Sequence, residues 1–335
     1  MVSGNSPLID GFQRRITYLR LSVTDRCDLR CQYCMPEKMQ FLPRAEVLSL
    51  EELHKVALAF IARGVTKIRL TGGEPLVRRD MIDLVRALGR KVGDGLDELT
   101  LTTNGTRLDE FAEDLFEAGV RRVNVSLDTL DAERFAELSR RDRFSQVLNG
   151  IAAAKAAGLA VKINTVALKG VNEGEIADVI AWAHGEGHEL TLIEVMPLGE
   201  VDGERVDHYL PLTQVRETLE RRWTLRDDAH RSGGPARYVT VEETGGRLGL
   251  ITPLTNNFCD SCNRVRVTTT GQLYACLGGR EQVDLRAAVR SDDPDAALHA
   301  ALTEAMTIKP HRHNFAIREK GEAPALARHM SVTGG

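Results

Sequence analysis

The stretch CDLRCQYC, Cys27 to Cys34, decides how this chain is read. Cys27, Cys31 and Cys34 form C-x3-C-x2-C, and the next cysteine is Cys259. Thiolates are soft ligands that select zinc, copper(I) or iron–sulfur clusters. A structural zinc site closes at four ligands, and the nearest downstream histidine, His54, falls on a segment that reads as a helix with the ring solvated. A four-iron cube also has four metal ions to hold. Three thiolates leave one iron open, and an open iron can bind a small molecule through nitrogen and oxygen. The missing ligand therefore reads as a coordination site; a structural metal site, or three unrelated cysteines, is the alternative.

Outward from the cysteines, short apolar runs alternate with helical periodicity. The runs are YLRLSV (18–23), KIRLT (67–71), ELTLTT (98–103), RVNVSL (122–127), AVKINTVAL (160–168) and LTLIEVM (190–196). Leu53, Val56, Ala57, Phe60 and Ile61 share one helical face, with a Ser49/Glu52 capping box before it and Gly64 after it. Leu108, Phe111, Ala112, Leu115 and Phe116 mark a second helix, and Val147, Leu148, Ile151 and Ala152 a third. Repeated βα units imply parallel strands with right-handed crossovers. Six units predict an α/β fold, an incomplete (βα)6 TIM-like barrel. Function in such barrels sits at the C-terminal strand ends, where TGGEP, TTNG, SLDT, NTV and MPLG follow the strands. Gly72 and Gly73 of TGGEP would let the backbone approach a ligand closely.

After about residue 200 the pattern changes. Residues 212–223 read as a helix, RYVTV, RLGLIT and VRVTTTGQLYAC as strands with glycine turns, and 226–236 as a loop or linker. The expected division is a barrel core over 7–232 and a smaller α+β region over 233–335. The first ten residues and the tail ARHMSVTGG read as mobile termini. The later region holds Cys259, Cys262 and Cys276 as C-x2-C-x13-C, again three with no fourth. The alternative is a zinc ribbon that lacks one ligand or is completed by a histidine such as His311 or His313. Arg264 and Arg266 alternate on one face of the strand that follows, which suits a phosphate beside a metal group.

Composition excludes other classes. The chain has 335 residues, 42% apolar and 27% charged, which is ordinary for a globular protein. No apolar run approaches the roughly 20 residues of a membrane span, and MVSGNSPLID lacks the pattern of a signal peptide. A cytoplasmic protein without a membrane partner is expected, and six cysteines there argue against a disulfide framework. A zinc-dependent nucleic-acid binder needs complete ligand sets, a basic face and stacking aromatics. Aromatics are 5% and the net charge is −4, so no nucleic-acid partner is expected.

The C-x3-C-x2-C motif after the first strand, with Tyr33 before its last cysteine, and TGGEP (71–75) resemble the radical S-adenosylmethionine superfamily. Two incomplete cysteine groups, CNRVR after the second C-x2-C and a terminal Gly334-Gly335 are together similar to the GTP 3′,8-cyclase family. The resemblance runs from about Ile16 to Gly335. It implies two [4Fe–4S] clusters, the first on Cys27, Cys31 and Cys34, the auxiliary one on Cys259, Cys262 and Cys276. It implies S-adenosylmethionine contacts from the backbone of Tyr33, Gly73 and Met196 and the hydroxyl of Ser126. GTP contacts would come from Arg20, Arg69, Thr102, Lys162 and the Arg264-Val265-Arg266 strand, with guanine on the open iron of the auxiliary cluster.

The implied reaction is reductive cleavage of S-adenosylmethionine to a 5′-deoxyadenosyl radical. That radical takes hydrogen from C3′ of GTP, and C3′ then bonds to C8, giving 3′,8-cyclo-7,8-dihydro-GTP in molybdenum cofactor synthesis. Implied partners are an electron donor such as a flavodoxin or ferredoxin, a downstream cyclic pyranopterin monophosphate synthase and a second copy in a homodimer. The glycine tail would enter the active site. A peptide-modifying radical enzyme with an auxiliary cluster is the neighbouring alternative.

Overall fold

The computed structural model describes residues 6–199, 208–313, 315, 317 and 325–334. Gly335 and residues 1–5 of the N-terminal stretch lie outside the described residues. Six βα repeats open the chain. Their strands are β1 (Tyr18–Ser22), β2 (Lys67–Thr71), β3 (Glu98–Thr103), β4 (Arg122–Ser126), β5 (Ala160–Ala167) and β6 (Glu189–Glu194). The intervening helices are α1 (Leu50–Ala62), α2 (Met81–Gly89), α3 (Leu108–Glu117), α4 (Ala132–Ser139), α5 (Phe144–Ala156) and α6 (Ile176–Gly185). The Ser49 hydroxyl accepts from the Glu52 N–H at 3.1 Å, and the Glu52 carboxylate accepts from the Ser49 N–H at 2.7 Å. That reciprocal cap starts α1 where the sequence pattern puts it. On α5 the expected face is partly corrected: Val147 and Ile151 are buried, but Ala152 is exposed and Ala154 takes the core position.

The later chain adds α7 (Leu212–Leu219), β7 (Leu225–Asp228), β8 (Arg237–Val241), β9 (Gly246–Ile251), β10 (Arg264–Val267), β11 (Gln272–Tyr274), β12 (Gln282–Asp284), α8 (Leu285–Val289), α9 (Pro294–Thr307) and α10 (Met330–Thr333). One sheet of 12 strands runs β12-β11-β10-β1-β2-β3-β4-β5-β6-β9-β8-β7. The parallel run β1 to β6 is the expected incomplete barrel. The C-terminal region extends both of its edges: β10 joins β1 and β9 joins β6, each in parallel. Two hairpins beyond them, β10–β11–β12 and β7–β8–β9, are antiparallel.

Alternation along the strands separates two faces. Leu19, Leu21, Ile68, Leu70, Val123 and Ile163 are buried in the apolar core under the helices. The opposite positions, Tyr18, Arg20, Lys67, Arg69, Asn124 and Lys162, line the hollow of the barrel. Apolar area removed from water drives the outer layer together, at about 25 cal/mol per Å². The inner face is polar, so its residues are there for something other than cohesion.

The expectation of mobile termini is corrected at both ends. Leu8 is fully buried, and Ile9 bridges Arg15 in a short antiparallel turn. At the other end Ser331 and Thr333 are each 1% exposed. Among the described residues no helix is long and apolar enough to cross a membrane.

Candidate active site

The first cysteine group sits on the loop that leaves the C-terminal end of β1. Two strand-end turns hold that loop. Gly73 N–H donates to the Thr24 carbonyl and Glu74 N–H to the Arg26 carbonyl, both at 2.8 Å. A Cβ on Gly72 would lie 2.3 Å from the Thr24 carbonyl oxygen, and one on Gly73 2.3 Å from that of Arg26. What the missing Cβ atoms admit here is the chain's own backbone. Glu74, 1% exposed, accepts from Leu76 N–H (2.9 Å), Thr103 Oγ1 (2.8 Å) and Asn104 N–H (2.6 Å), tying TGGEP to TTNG. Burial pushes its carboxyl up to about 7, against the pull of those donors. Asn104 and Thr106 donate to the Asp28 carboxylate at 2.8 and 2.6 Å, so β3 also anchors the cysteine loop.

Around the sulfurs, Leu29 N–H lies 3.4 Å and Asn104 Nδ2 3.7 Å from Cys27 Sγ. Burial pushes the Cys27 and Cys31 thiols up. The neighbouring cysteines and the carboxylates Glu74, Asp28 and Asp128 add to the rise. The Tyr33 hydroxyl donates to Asp128 Oδ2 at 2.5 Å, which fixes the turn between Cys31 and Cys34.

The barrel hollow is a cavity of about 1160 Å³, open mouth included. Seven basic residues (Arg20, Lys67, Arg69, Arg122, Lys162, Arg264, Arg266) and no acidic one line it among the described residues. An excess of that kind selects an anion. The register sharpens it: Arg20 is paired across strands with Arg69 on β2 and with Arg266 on β10. Like charges directly opposite one another destabilise a sheet. Burial, with Arg20 and Arg264 nearby, holds Arg266 well below the usual guanidinium range, and burial draws Arg20 down to about 10. Burial alone would raise the Tyr18 hydroxyl, but the charges of Arg69, Arg20 and Lys67 outweigh it and bring it down to about 7. Arg69 Nε donates to that hydroxyl at 2.6 Å and its Nη1 to Thr102 Oγ1 at 3.0 Å. Lys162 donates to the Tyr238 hydroxyl at 2.6 Å. Val265 has its side chain in the apolar core, so what it offers the cavity is main chain.

Cys259, Cys262 and Cys276 line the same cavity. Cys262 precedes β10 and Cys276 follows β11, so the β10–β11 hairpin brings the two to one end of the ladder and accounts for the x13 spacing. Cys259 and Cys262 share one 3-10 turn, closed by Cys262 N–H to the Cys259 carbonyl at 3.1 Å. Burial alone would raise Cys262, but Arg264 and Lys309 outweigh it and lower the thiol to about 7. Burial pushes Cys259 up. Among the described residues no three His, Cys, Asp or Glu side chains converge on a single metal ion.

The tail packs against the end of β2 and against Arg266. Gly334 takes φ 75°, and a Cβ there would lie 2.2 Å from Thr71 Cγ2. Its carbonyl accepts from Arg266 Nη1 at 2.5 Å. Upstream, Gly199 N–H donates to the Leu326 carbonyl at 2.7 Å, joining the tail segment to the stretch that follows β6.

Two family models divide the chain: Radical SAM superfamily matches residues 21–183, and Molybdenum Cofactor Synthesis C matches residues 188–315. A GTP 3′,8-cyclase of Erythrobacter litoralis (strain HTCC2594) is 72% identical over 98% of this chain and 99% of the relative. One of Rhizobium etli (strain CIAT 652) is 60% identical over 98% of this chain and 94% of the relative. The chain belongs to the GTP 3′,8-cyclase family. Of solved structures, Streptococcus suis SuiB bound to S-adenosylmethionine aligns with a TM-score of 0.62 at 16% identity, covering 91% of this chain and 68% of that one. Native anSMEcpe with bound AdoMet aligns at 0.58 and 18%, covering 89% and 82%. Those two likenesses show the fold alone. With family membership established, the peptide-modifying alternative is not favoured.

Sequence reasoning for this member of the GTP 3′,8-cyclase family missed several residues. Lys67, Arg122, Asn124, Asn164 and Tyr238 also line the cavity. Part of their signal was available, since each sits beside an apolar residue on a strand. Arg14 gave none: it is 8% exposed, pairs with Asp10 at 2.6 Å, and donates to the carbonyls of Cys259, Pro310 and His311, each at 2.7 Å. Glu194, fully buried, accepts from Leu212 N–H, Leu254 N–H and Thr255, and so braces the segment that leads to Cys259. Ser126 and Met196, expected together near the first cysteines, are half-buried, at the C-terminal end of β4 and just beyond β6. Met196 also lines the cavity.

Proposed function

We propose that the chain is a GTP 3′,8-cyclase that binds GTP in the barrel hollow and joins C3′ of the ribose to C8 of the same guanine, the first step of molybdenum cofactor synthesis. The observation that carries this reading is a thiol triad and a layer of register-paired arginines lining one cavity. The donor chemistry fits two [4Fe–4S] clusters. Around Cys27 and Cys31 burial, the neighbouring cysteines and the carboxylates Glu74, Asp28 and Asp128 disfavour free thiolates, which suits a site that takes up a metal-borne positive charge. Around Cys262 the protein supplies cations of its own. When bound, the clusters and S-adenosylmethionine supply the radical chemistry that removes hydrogen from C3′.

In this reading Cys27, Cys31 and Cys34 hold the first cluster, and Cys259, Cys262 and Cys276 the auxiliary one. Tyr33, Gly73, Ser126 and Met196 hold S-adenosylmethionine; the Tyr33–Asp128 hydrogen bond keeps the Tyr33 backbone in place for that contact. Arg20, Arg69, Lys162, Arg264 and Arg266 receive the triphosphate, and the charge they crowd together is released as binding energy when the anion arrives. Thr102 orients Arg69, and Val265 contributes main chain. Water is kept out below by Ser232 and its neighbours, where Lys67 donates to the Ser232 carbonyl at 2.9 Å, and above by the tail. Exclusion and fixed orientation are what a reactive carbon radical demands of its host.

The same reading includes the division at 232/233, a cytoplasmic location, an electron donor of flavodoxin or ferredoxin type, a downstream cyclic pyranopterin monophosphate synthase and a homodimer. The test is anaerobic incubation of the iron-loaded chain with S-adenosylmethionine, reductant and GTP or ATP. Cyclised GTP, with ATP left unchanged, is the expected result. Cleavage of S-adenosylmethionine without any cyclised nucleotide would sink the assignment.

A further inference from the structure

Lys309, just past α9, is 3% exposed. Its ammonium donates to the carbonyls of Ala275 at 2.5 Å and Arg264 at 2.9 Å and lies 3.7 Å from Cys262 Sγ. Ala275 immediately precedes Cys276, and Arg264 lies two residues after Cys262. The ammonium thus bridges the two segments that carry these cysteines. Burying an ammonium is costly unless it is paired. No carboxylate forms an ion pair with Lys309 among the described residues, and the nearby Asp10 is taken by Arg14 at 2.6 Å. Besides Asp10, the groups that favour its charge are Cys262 and Cys276.

At the first triad the carboxylates Glu74, Asp28 and Asp128 act on the thiols, and Arg30 donates to the Cys27 and Leu29 carbonyls at 2.6 and 2.7 Å. Surrounding charge is one of the levers that set a cluster's reduction potential. A fixed positive charge in a low-dielectric site stabilises the form with the extra electron. We infer that Lys309 is a positioning residue that clamps the Cys262 and Cys276 segments and keeps a positive charge against the auxiliary cluster, making that cluster easier to reduce. The inference rests on the reading that this triad holds a cluster.

The experiment uses the full chain, reconstituted anaerobically, as wild type, Lys309→Met, Lys309→Gln and Lys309→Arg. Iron and sulfide per chain are measured, and both clusters are followed by redox titration with electron paramagnetic resonance. The Cys31→Ala chain serves to identify the auxiliary signal. The expected result is a shift of the auxiliary midpoint to more negative potential in Met and Gln, near-wild-type behaviour in Arg, and an unmoved first cluster. Loss of only the auxiliary iron in Met and Gln, with Arg retaining it, also supports the role, because Gln keeps donors and lacks only the charge. An unchanged auxiliary midpoint in Met or Gln with full iron overturns the inference, as does loss of that iron in all three. If the wild type itself carries iron for one cluster only, the reading of the triad fails instead.

Discussion

Replacing Gly334 by alanine should undock the tail. The perturbation has two parts. Gly334 takes φ 75°, a region that costs an L-residue about 1–2 kcal/mol. The new Cβ would also lie 2.2 Å from Thr71 Cγ2 and 2.8 Å from its Oγ1, far inside the roughly 3.5–4.0 Å of a good contact. Thr71 cannot retreat, because it is 2% exposed and ends β2. Overpacking of this kind costs about 1–3 kcal/mol. The sum, about 2–5 kcal/mol, lowers the docked population at least roughly thirtyfold. The hydrogen bond from Arg266 to the Gly334 carbonyl goes with it.

The assay follows cyclised GTP and free deoxyadenosine together, with iron content measured on the same preparation. Iron and S-adenosylmethionine cleavage should persist while cyclised product falls sharply and the two become uncoupled. Adding Thr71→Ser, which deletes the closest atom, should recover part of the loss, because the backbone cost remains. Wild-type turnover by Gly334→Ala would refute the argument that the tail must occupy this position.

Three further outcomes are expected. Cys262→Ala should lose one cluster's iron, keep some uncoupled S-adenosylmethionine cleavage and make no cyclised GTP; normal cyclisation would remove the auxiliary-cluster role. Arg264→Ala or Arg266→Ala should weaken GTP binding by about 1.5–3 kcal/mol, or roughly ten- to a hundredfold, with a smaller loss for guanosine. Equal losses for both ligands would point to a structural strand. Glu74 has its folded pKa raised by burial to about 7, so its contribution to stability is fully present below about pH 4.5 and is lost as pH rises towards 7. Melting curves of wild type should therefore fall over that window more steeply than those of Glu74→Gln, which should also be less stable at low pH because its amide faces a donor. Parallel pH profiles for the two chains would contradict the assignment.

Much of this protein was legible in one dimension. The βα alternation depends on local periodicity, so six strands and the caps between them could be read within a few residues of where they lie, as at KIRLT and ELTLTT. The two cysteine groups were legible because a metal-binding turn needs its ligands close in sequence. Period 2 placed Arg264 and Arg266 on one face of a strand, but it did not say which residues they meet. That required register: only the parallel pairing of β10 with β1 and of β1 with β2 sets Arg266, Arg20 and Arg69 side by side.

The sequence likewise could not say that the C-terminal region builds onto both edges of the barrel, because strand pairing is a long-range contact with no local code. Arg14 reaches Cys259 across 245 residues, and Lys309 reaches Cys262 across 47. Taken alone each is an ordinary cation in a polar stretch. Burial turns them into fixed charges with a set of carbonyls and sulfur to serve, and burial is a property of the assembled layers. The same holds for Gly72 and Gly73, whose reason is the backbone of Thr24 and Arg26 passing within a Cβ's radius. Spacing along the chain determined what chemistry these residues can do; three-dimensional packing decided which charges face one another, because electrostatic energy depends on distance and dielectric, and both are set by the fold.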